Sequence, residues 1–160
     1  MALDTTIGGT ASDSYATLAE YQARAAAMGW TLAGTDAANE VTLRRAAVAI
    51  DATYSFVGMK QYQFQARSWP RLVNQLVEDW PINPDTIPGA IKEAQMEMAF
   101  LIQSGADPLA TFEGAVKREK IDVLEVEYAG GRARPRFDGV DRILKPYVLS
   151  GPGQTRMVRA

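Results

Sequence analysis

The chain has 160 residues, no histidine, no cysteine and a formal net charge of −2. Those two absences exclude Ser-His-Asp and Cys-His catalytic sets within one chain, exclude zinc sites built from Cys and His, and remove the usual proton shuttle near neutral pH. The length suits one domain burying roughly 70% of its unfolded surface, and 47% hydrophobic with 22% charged residues is ordinary for a globular protein.

Residues 1–14 are small and polar and read as extended. They lack a basic region and an apolar stretch, so no signal peptide is expected. No apolar run approaches the ~20 residues of a membrane-spanning helix, and no membrane partner is expected. Thr17 and Glu20 form a capping box that opens a first helix. Leu18, Tyr21, Ala25 and Met28 share one face of it, and Gly29 stops it. Asp36 is a plausible N-cap for a second helix running to about Tyr54, with Leu43, Ala46, Ala47, Ile50 and Tyr54 as its apolar face. The alanines imply close helix–helix approach.

Residues 55–88 carry little helical signal. They hold Trp69 and Trp80 and four of the eight prolines, Pro70, Pro81, Pro84 and Pro88. A loop this long in a compact domain is usually functional or disordered, and its aromatic content argues against disorder. The expectation is an ordered loop pinned to the domain by Trp69 and Trp80. Both tryptophans also have an interface reading, since Trp is enriched at binding hot spots. The anchor reading is favoured for Trp69, and Trp80 is the interface candidate. Tyr54, Phe56, Tyr62 and Phe64 interleave with Lys60 and Arg67, a pattern that suits base stacking beside phosphate contacts.

Pro88 suits the first position of a third helix that runs to Ser104, before Gly105. Ile91, Ala94, Met98, Leu101 and Ile102 make its core stripe, with Lys92, Glu93 and Glu97 outside it. After Asp107-Pro108 the period becomes two. Leu124, Val126 and Tyr128 alternate with Glu125 and Glu127 as a half-buried strand, with 112–120 as its antiparallel partner and a turn near Ile121-Asp122. Arg132, Arg134 and Arg136 lie in a basic loop. Asp138 is the expected cap of a last helix with Val140, Ile143, Leu144, Tyr147 and Val148 inward. The domain is expected to span 1–150. Residues 151–160, with Arg156 and Arg159, form a basic tail with no reason to fold alone.

Charge is uneven along the chain. Residues 117–160 hold ten basic and six acidic residues, a balance of +4, which leaves −6 for residues 1–116. One end favours anions and the rest repels them, unless the unevenness is only solvation. No glycine-rich phosphate loop and no calcium-loop spacing is present. The reading is therefore a non-enzymatic chain with no cofactor and no metal, mainly α, a bundle of about four helices with a β-hairpin and a long ordered loop.

The order of short motifs carries a resemblance over roughly residues 12–150: Ser14-Tyr15-Ala16-Thr17, the alanine-rich helix ending in Ile50-Asp51, Gly58, Trp69-Pro70-Arg71, Ile87-Pro88 with Ile91-Lys92 and Ala94, Lys117-Arg118-Glu119-Lys120-Ile121, and Leu144-Lys145-Pro146-Tyr147. Together they resemble the head-to-tail connector, or adaptor, proteins of tailed bacteriophages, some of which carry the label of DnaT-like single-stranded-DNA-binding proteins. The resemblance implies a structural virion protein at the head–tail junction, assembled in the host cytoplasm. Its partners would be the portal protein, identical subunits in a ring of about twelve, a downstream stopper or tail-completion protein, and double-stranded DNA passing without specific binding. Trp80, Arg132, Arg134, Arg136, Arg156 and Arg159 are the expected contacts to a neighbouring subunit or the portal. An acidic body would let DNA slide. The alternative is single-stranded-DNA binding outside a virion, which the negative charge and a sequence pI of about 5.2 disfavour.

Overall fold

The computed structural model describes residues 2–74, 76–77, 79–110 and 137–149, and the backbone alone of 119–121 and 124–126. Four helices form the body: α1 (Leu18–Met28), α2 (Asp36–Thr53), α3 (Gly89–Gln103) and α4 (Asp138–Leu144). Short strands β1 (Met59–Lys60), β2 (Arg71–Leu72), β3 (Leu76–Val77), β4 (Trp80–Pro81), β5 (Glu119–Ile121) and β6 (Leu124–Val126) pair antiparallel in sequence order, two by two. The mainly α architecture with a minor β part is the one expected. Among the described residues, no helix is long and apolar enough to cross a membrane.

The helix starts follow local chemistry. Thr17 Oγ1 accepts from the Glu20 N–H while the Glu20 carboxylate accepts from the Thr17 N–H, the reciprocal box read from the sequence. Gly29 ends α1 in the left-handed conformation. The cap of α2 is Thr35, one residue before the expected Asp36, because the Thr35 hydroxyl is the group that reaches the Ala38 N–H. Pro88 is the N-cap of α3, one position earlier than expected, and α4 begins at Asp138 with Phe137 as its cap.

Leu43, Ala46, Ala47 and Ile50 of α2 pack with Ile91, Ala94, Met98, Ala99 and Ile102 of α3, and Val140 and Leu144 close the core from α4. The small alanines let α2 approach α3 closely, as their density in the sequence implied. Leu101, Ile143, Tyr147 and Val148 are only partly buried at its edge, and Tyr54 lies beside them. Met28 is exposed, against expectation; it is the last residue of α1, where the chain turns back through Gly29 and Trp30.

One residue absent from the expected stripe organises the core. Gln95 is fully buried on α3. Its Oε1 accepts from the N–H groups of Tyr15 and Ala16, both at 2.9 Å, and its Nε2 donates to Ser14 Oγ at 2.7 Å and to the Leu43 carbonyl at 2.9 Å. The extended segment before α1 is thereby tied to both long helices.

The expected hairpin is present in backbone as β5–β6, with Ile121 opposite Leu124. The rest of its expected extent, 112–118 and 127–130, lies outside the described residues, as do Arg132, Arg134 and Arg136 and the tail with Arg156 and Arg159.

Candidate functional site

The 55–88 loop is ordered from its root outward. Phe56 bridges Val148, the Val57 N–H donates to the Tyr147 carbonyl at 3.0 Å, and the Leu149 N–H donates to the Ser55 carbonyl at 2.7 Å. Trp69 is 1% exposed and sits edge-on to Phe56 and Tyr147, with ring centroids 5.7 and 5.8 Å away. Such edge contacts add about 0.5–1.5 kcal/mol beyond burial. The anchor expected at Trp69 is therefore present.

Arg71 fixes the crossing of β1 and β2. Its guanidinium donates to the carbonyls of Val57 (2.8 Å), Gly58 (2.6 Å), Ser68 (3.2 Å) and Phe56 (3.3 Å). A planar fork of five donors can serve several carbonyls at once, which a lysine cannot. Burial pulls the Arg71 pKa down, partly opposed by Tyr15 and Asp51. Gln65, buried, accepts from the Tyr62 N–H and donates to the carbonyls of Arg67 and Pro70.

A second tie joins loop and body. Asp51 on α2 accepts hydrogen bonds from the Tyr15 hydroxyl and from the Ser68 N–H at 3.3 Å, and pairs with Arg67 at 3.4 Å. Burial raises the Asp51 pKa, although the Tyr15 hydrogen bond and Arg67 oppose the rise. Tyr15 is raised strongly, first by burial and then by the Asp51 charge.

Gly58 lies where the ribbon is tightest. It has φ +74, and a Cβ there would fall 2.0 Å from the Leu72 carbonyl oxygen. Gly58→Ala is expected to open the β1–β2 ribbon, because backbone cannot yield as a flexible side chain can. The cost should be about 1–3 kcal/mol, the range for strain at a special backbone position. Limited proteolysis within 59–72 would detect it as faster cleavage.

Large apolar side chains stand exposed along this scaffold. Met59, Phe64, Leu72, Leu76 and Trp80 are exposed, and Tyr62 presents part of its ring. Phe64 is 72% and Trp80 76% exposed. Tyr62 packs on Gly8, and its hydroxyl donates to Asp85 at 3.2 Å. Gly58, Met59, Leu72, Val73 and Asn74 line an open groove of about 660 Å³. Met59 and Leu72 are cross-strand partners and share one face of the β1–β2 ribbon.

The structure sorts the aromatic and basic residues that the sequence groups together. Phe56 is buried, and Tyr54 is half-buried with its hydroxyl on Asp141. Arg67 is occupied by Asp51. Tyr62, Phe64 and Lys60 remain on the outside, with Lys60 Nζ donating to the Gln65 carbonyl at 3.3 Å. Trp80 does not pin the loop, contrary to expectation: it lies on a two-stranded hairpin opposite Val77 and points no large surface inward. Among the described residues, no group of three or more acidic side chains is placed to hold a metal ion.

No curated protein and no solved structure matches the chain. A family model described as "Putative DnaT-like ssDNA binding protein" matches residues 1–160. That description names what the sequence ranked as its alternative. The match covers the full length, through the helical body, the anchored loop and the basic C-terminal third, and the chain belongs to this DnaT-like family.

Proposed function

We propose that the chain binds single-stranded DNA through the exposed aromatic face of the 55–88 loop. The family description supports the ligand. The observation that carries the site is Phe64, 72% exposed on a loop anchored at Trp69 and Arg71, next to Tyr62 and Lys60 in sequence. Single-strand binders stack bases on aromatic rings and track the backbone with cations. Lys60 supplies one cation, and the +4 C-terminal third is the richest source of others. Anisotropy of a labelled oligothymidylate, against the same length of duplex, tests the reading. Single strand is expected to bind more tightly, and Phe64→Ala to weaken it about tenfold, the lower part of the ~1–3 kcal/mol per stacked base. Equal binding to duplex, or none to either, would overturn it.

The second reading is the connector ring subunit, with the portal, a stopper protein and identical copies as partners. One observation favours it. Two of the three cations in 55–88, Arg67 and Arg71, are spent on internal contacts, so the exposed apolar side chains outnumber the charges available to phosphate. On this reading Trp80, Arg132, Arg134, Arg136, Arg156 and Arg159 contact the portal or a neighbouring copy. Co-elution with a portal protein and indifference to oligonucleotide would select it.

A further inference from the structure

We infer that the N-terminal turn at residues 6–9 positions the single-strand site: it holds the Tyr62 ring, and through it the arm, residues 61–66, that presents Phe64. The inference rests on the single-strand reading of Phe64 and adds a division of labour to it. Phe64 is the ring that stacks, and Gly8 and Tyr62 are positioning residues.

The turn is built as a clasp closed on the body. Asp4 Oδ1 accepts from the Thr6 N–H at 2.9 Å, and the Asp4 carbonyl accepts from the N–H groups of Asp13 (2.9 Å) and Ser14 (3.3 Å). Asp13 returns the contact: its carboxylate accepts from the Asp4 N–H at 2.9 Å and from Arg44 Nε of α2 at 2.5 Å. The base of the clasp is therefore fixed to a helix. At its tip the Gly9 N–H donates to the Thr6 carbonyl at 3.0 Å, and Gly8 takes φ +70.

That tip meets the arm at two points. The Gly9 carbonyl accepts from the Ala66 N–H at 3.0 Å. A Cβ on Gly8 would fall 2.4 Å from Tyr62 Cδ2, so the ring occupies the space a side chain would need. The Tyr62 hydroxyl donates to Asp85, and the Gln61 side chain donates to the same carboxylate oxygen at 3.3 Å. Ring, hydroxyl and backbone of the arm are thus each held, while Phe64, two residues on, stays exposed. Tyr62 has its ring edge against Gly8 and is 44% exposed, which suits a strut better than a stacking platform. A site held in its bound geometry before the ligand arrives avoids the ordering cost of binding. Affinity then falls in proportion to the fraction of molecules that hold that geometry.

A mutant cycle tests it, read by anisotropy of labelled oligothymidylate. Gly8→Asn adds a Cβ against the Tyr62 ring, and Asn accepts a positive φ more readily than most side chains do. It should weaken binding about fivefold, the effect of an arm seated in about one molecule in five, with an unchanged circular dichroism spectrum. Where Phe64 is already alanine, the same change should weaken binding less than about twofold, because nothing is left to position. Tyr62→Leu, which leaves the clasp untouched, should repeat both results, and it decides alone should Gly8→Asn fail to fold. In the free protein, Gly8→Asn should speed exchange of the Ala66 amide about tenfold. Binding that Phe64→Ala weakens and Gly8→Asn does not would overturn this inference and leave the single-strand reading standing. So would losses that multiply with that of Phe64→Ala, since the turn or Tyr62 would then touch the strand directly, and so would unchanged exchange at Ala66. A wild-type chain that binds no single strand overturns the reading and this inference together.

Discussion

Trp69→Ala is expected to destabilise the fold by about 3–5 kcal/mol, the range for truncating a buried tryptophan. The side chain is 1% exposed and fills the junction where the loop root, Phe56 and Tyr147 meet. Among the described residues its indole N–H has no hydrogen-bond partner, and the expected loss is one of packing and edge-on ring contact. Trp69→Phe should therefore recover more than half of the deficit. Urea unfolding gives the test: the midpoint should fall with the slope unchanged. A loss below about 1 kcal/mol would mean that the loop is not anchored there. Trp80→Ala, at an exposed site, should change stability by no more than about 0.5 kcal/mol, so the two tryptophans form an internal contrast.

Gln95→Leu is the second large effect, about 3 kcal/mol or more. Leucine has nearly the same bulk, so little cavity forms. It leaves the N–H groups of Tyr15 and Ala16 buried with no acceptor, and removes the donor to Ser14 and to the Leu43 carbonyl. Each buried group left without its partner costs about 1–3 kcal/mol, and the added apolar burial returns only part of that. Hydrogen exchange should show its largest acceleration at the amides of Tyr15 and Ala16. If those amides stay as protected as in the wild type, the Gln95 network does not hold the segment.

These two residues also mark how far the sequence could be read. The start and stop of α1 were legible because their causes are local: Thr17 and Glu20 sit three apart and Gly29 follows the helix directly, whereas the starts of α2, α3 and α4 each fell one residue from the expected position. The stripe of α3 was legible for the same reason. Gln95 was not, because a polar residue between Ala94 and Met96 reads as surface until the segment it serves is known to lie some 80 residues away. Trp69-Pro70 and Trp80-Pro81 are the same dipeptide with opposite fates. What separates them is the arrival of Phe56 and Tyr147, which no local pattern encodes. Arg71 entered the sequence reading only as part of Trp69-Pro70-Arg71, and the converging carbonyls of the ribbon reveal its use. Strands of two residues are too short to show any alternation, so the ribbons in 55–88 left no trace beyond a lack of helical signal. Of the candidate site, the aromatic content was visible and its division into inner and outer faces was not.

The backbone pairing of Ser55–Val57 with Tyr147–Leu149 has a bearing on the order of events during synthesis. The ribosome delivers the aromatic loop long before the segment that seats its root. Until residue 147 emerges, Phe56 and Trp69 lack their third ring and the Val57 N–H lacks its acceptor. Domains are made from the N-terminus at about 5–20 residues per second, so for several seconds α1 to α3 can pack while the loop stands incomplete with its aromatics exposed. The loop root is therefore seated only after residues 147–149 have been made, and a product truncated before α4 would carry the same aromatic residues unseated, as an aggregation hazard.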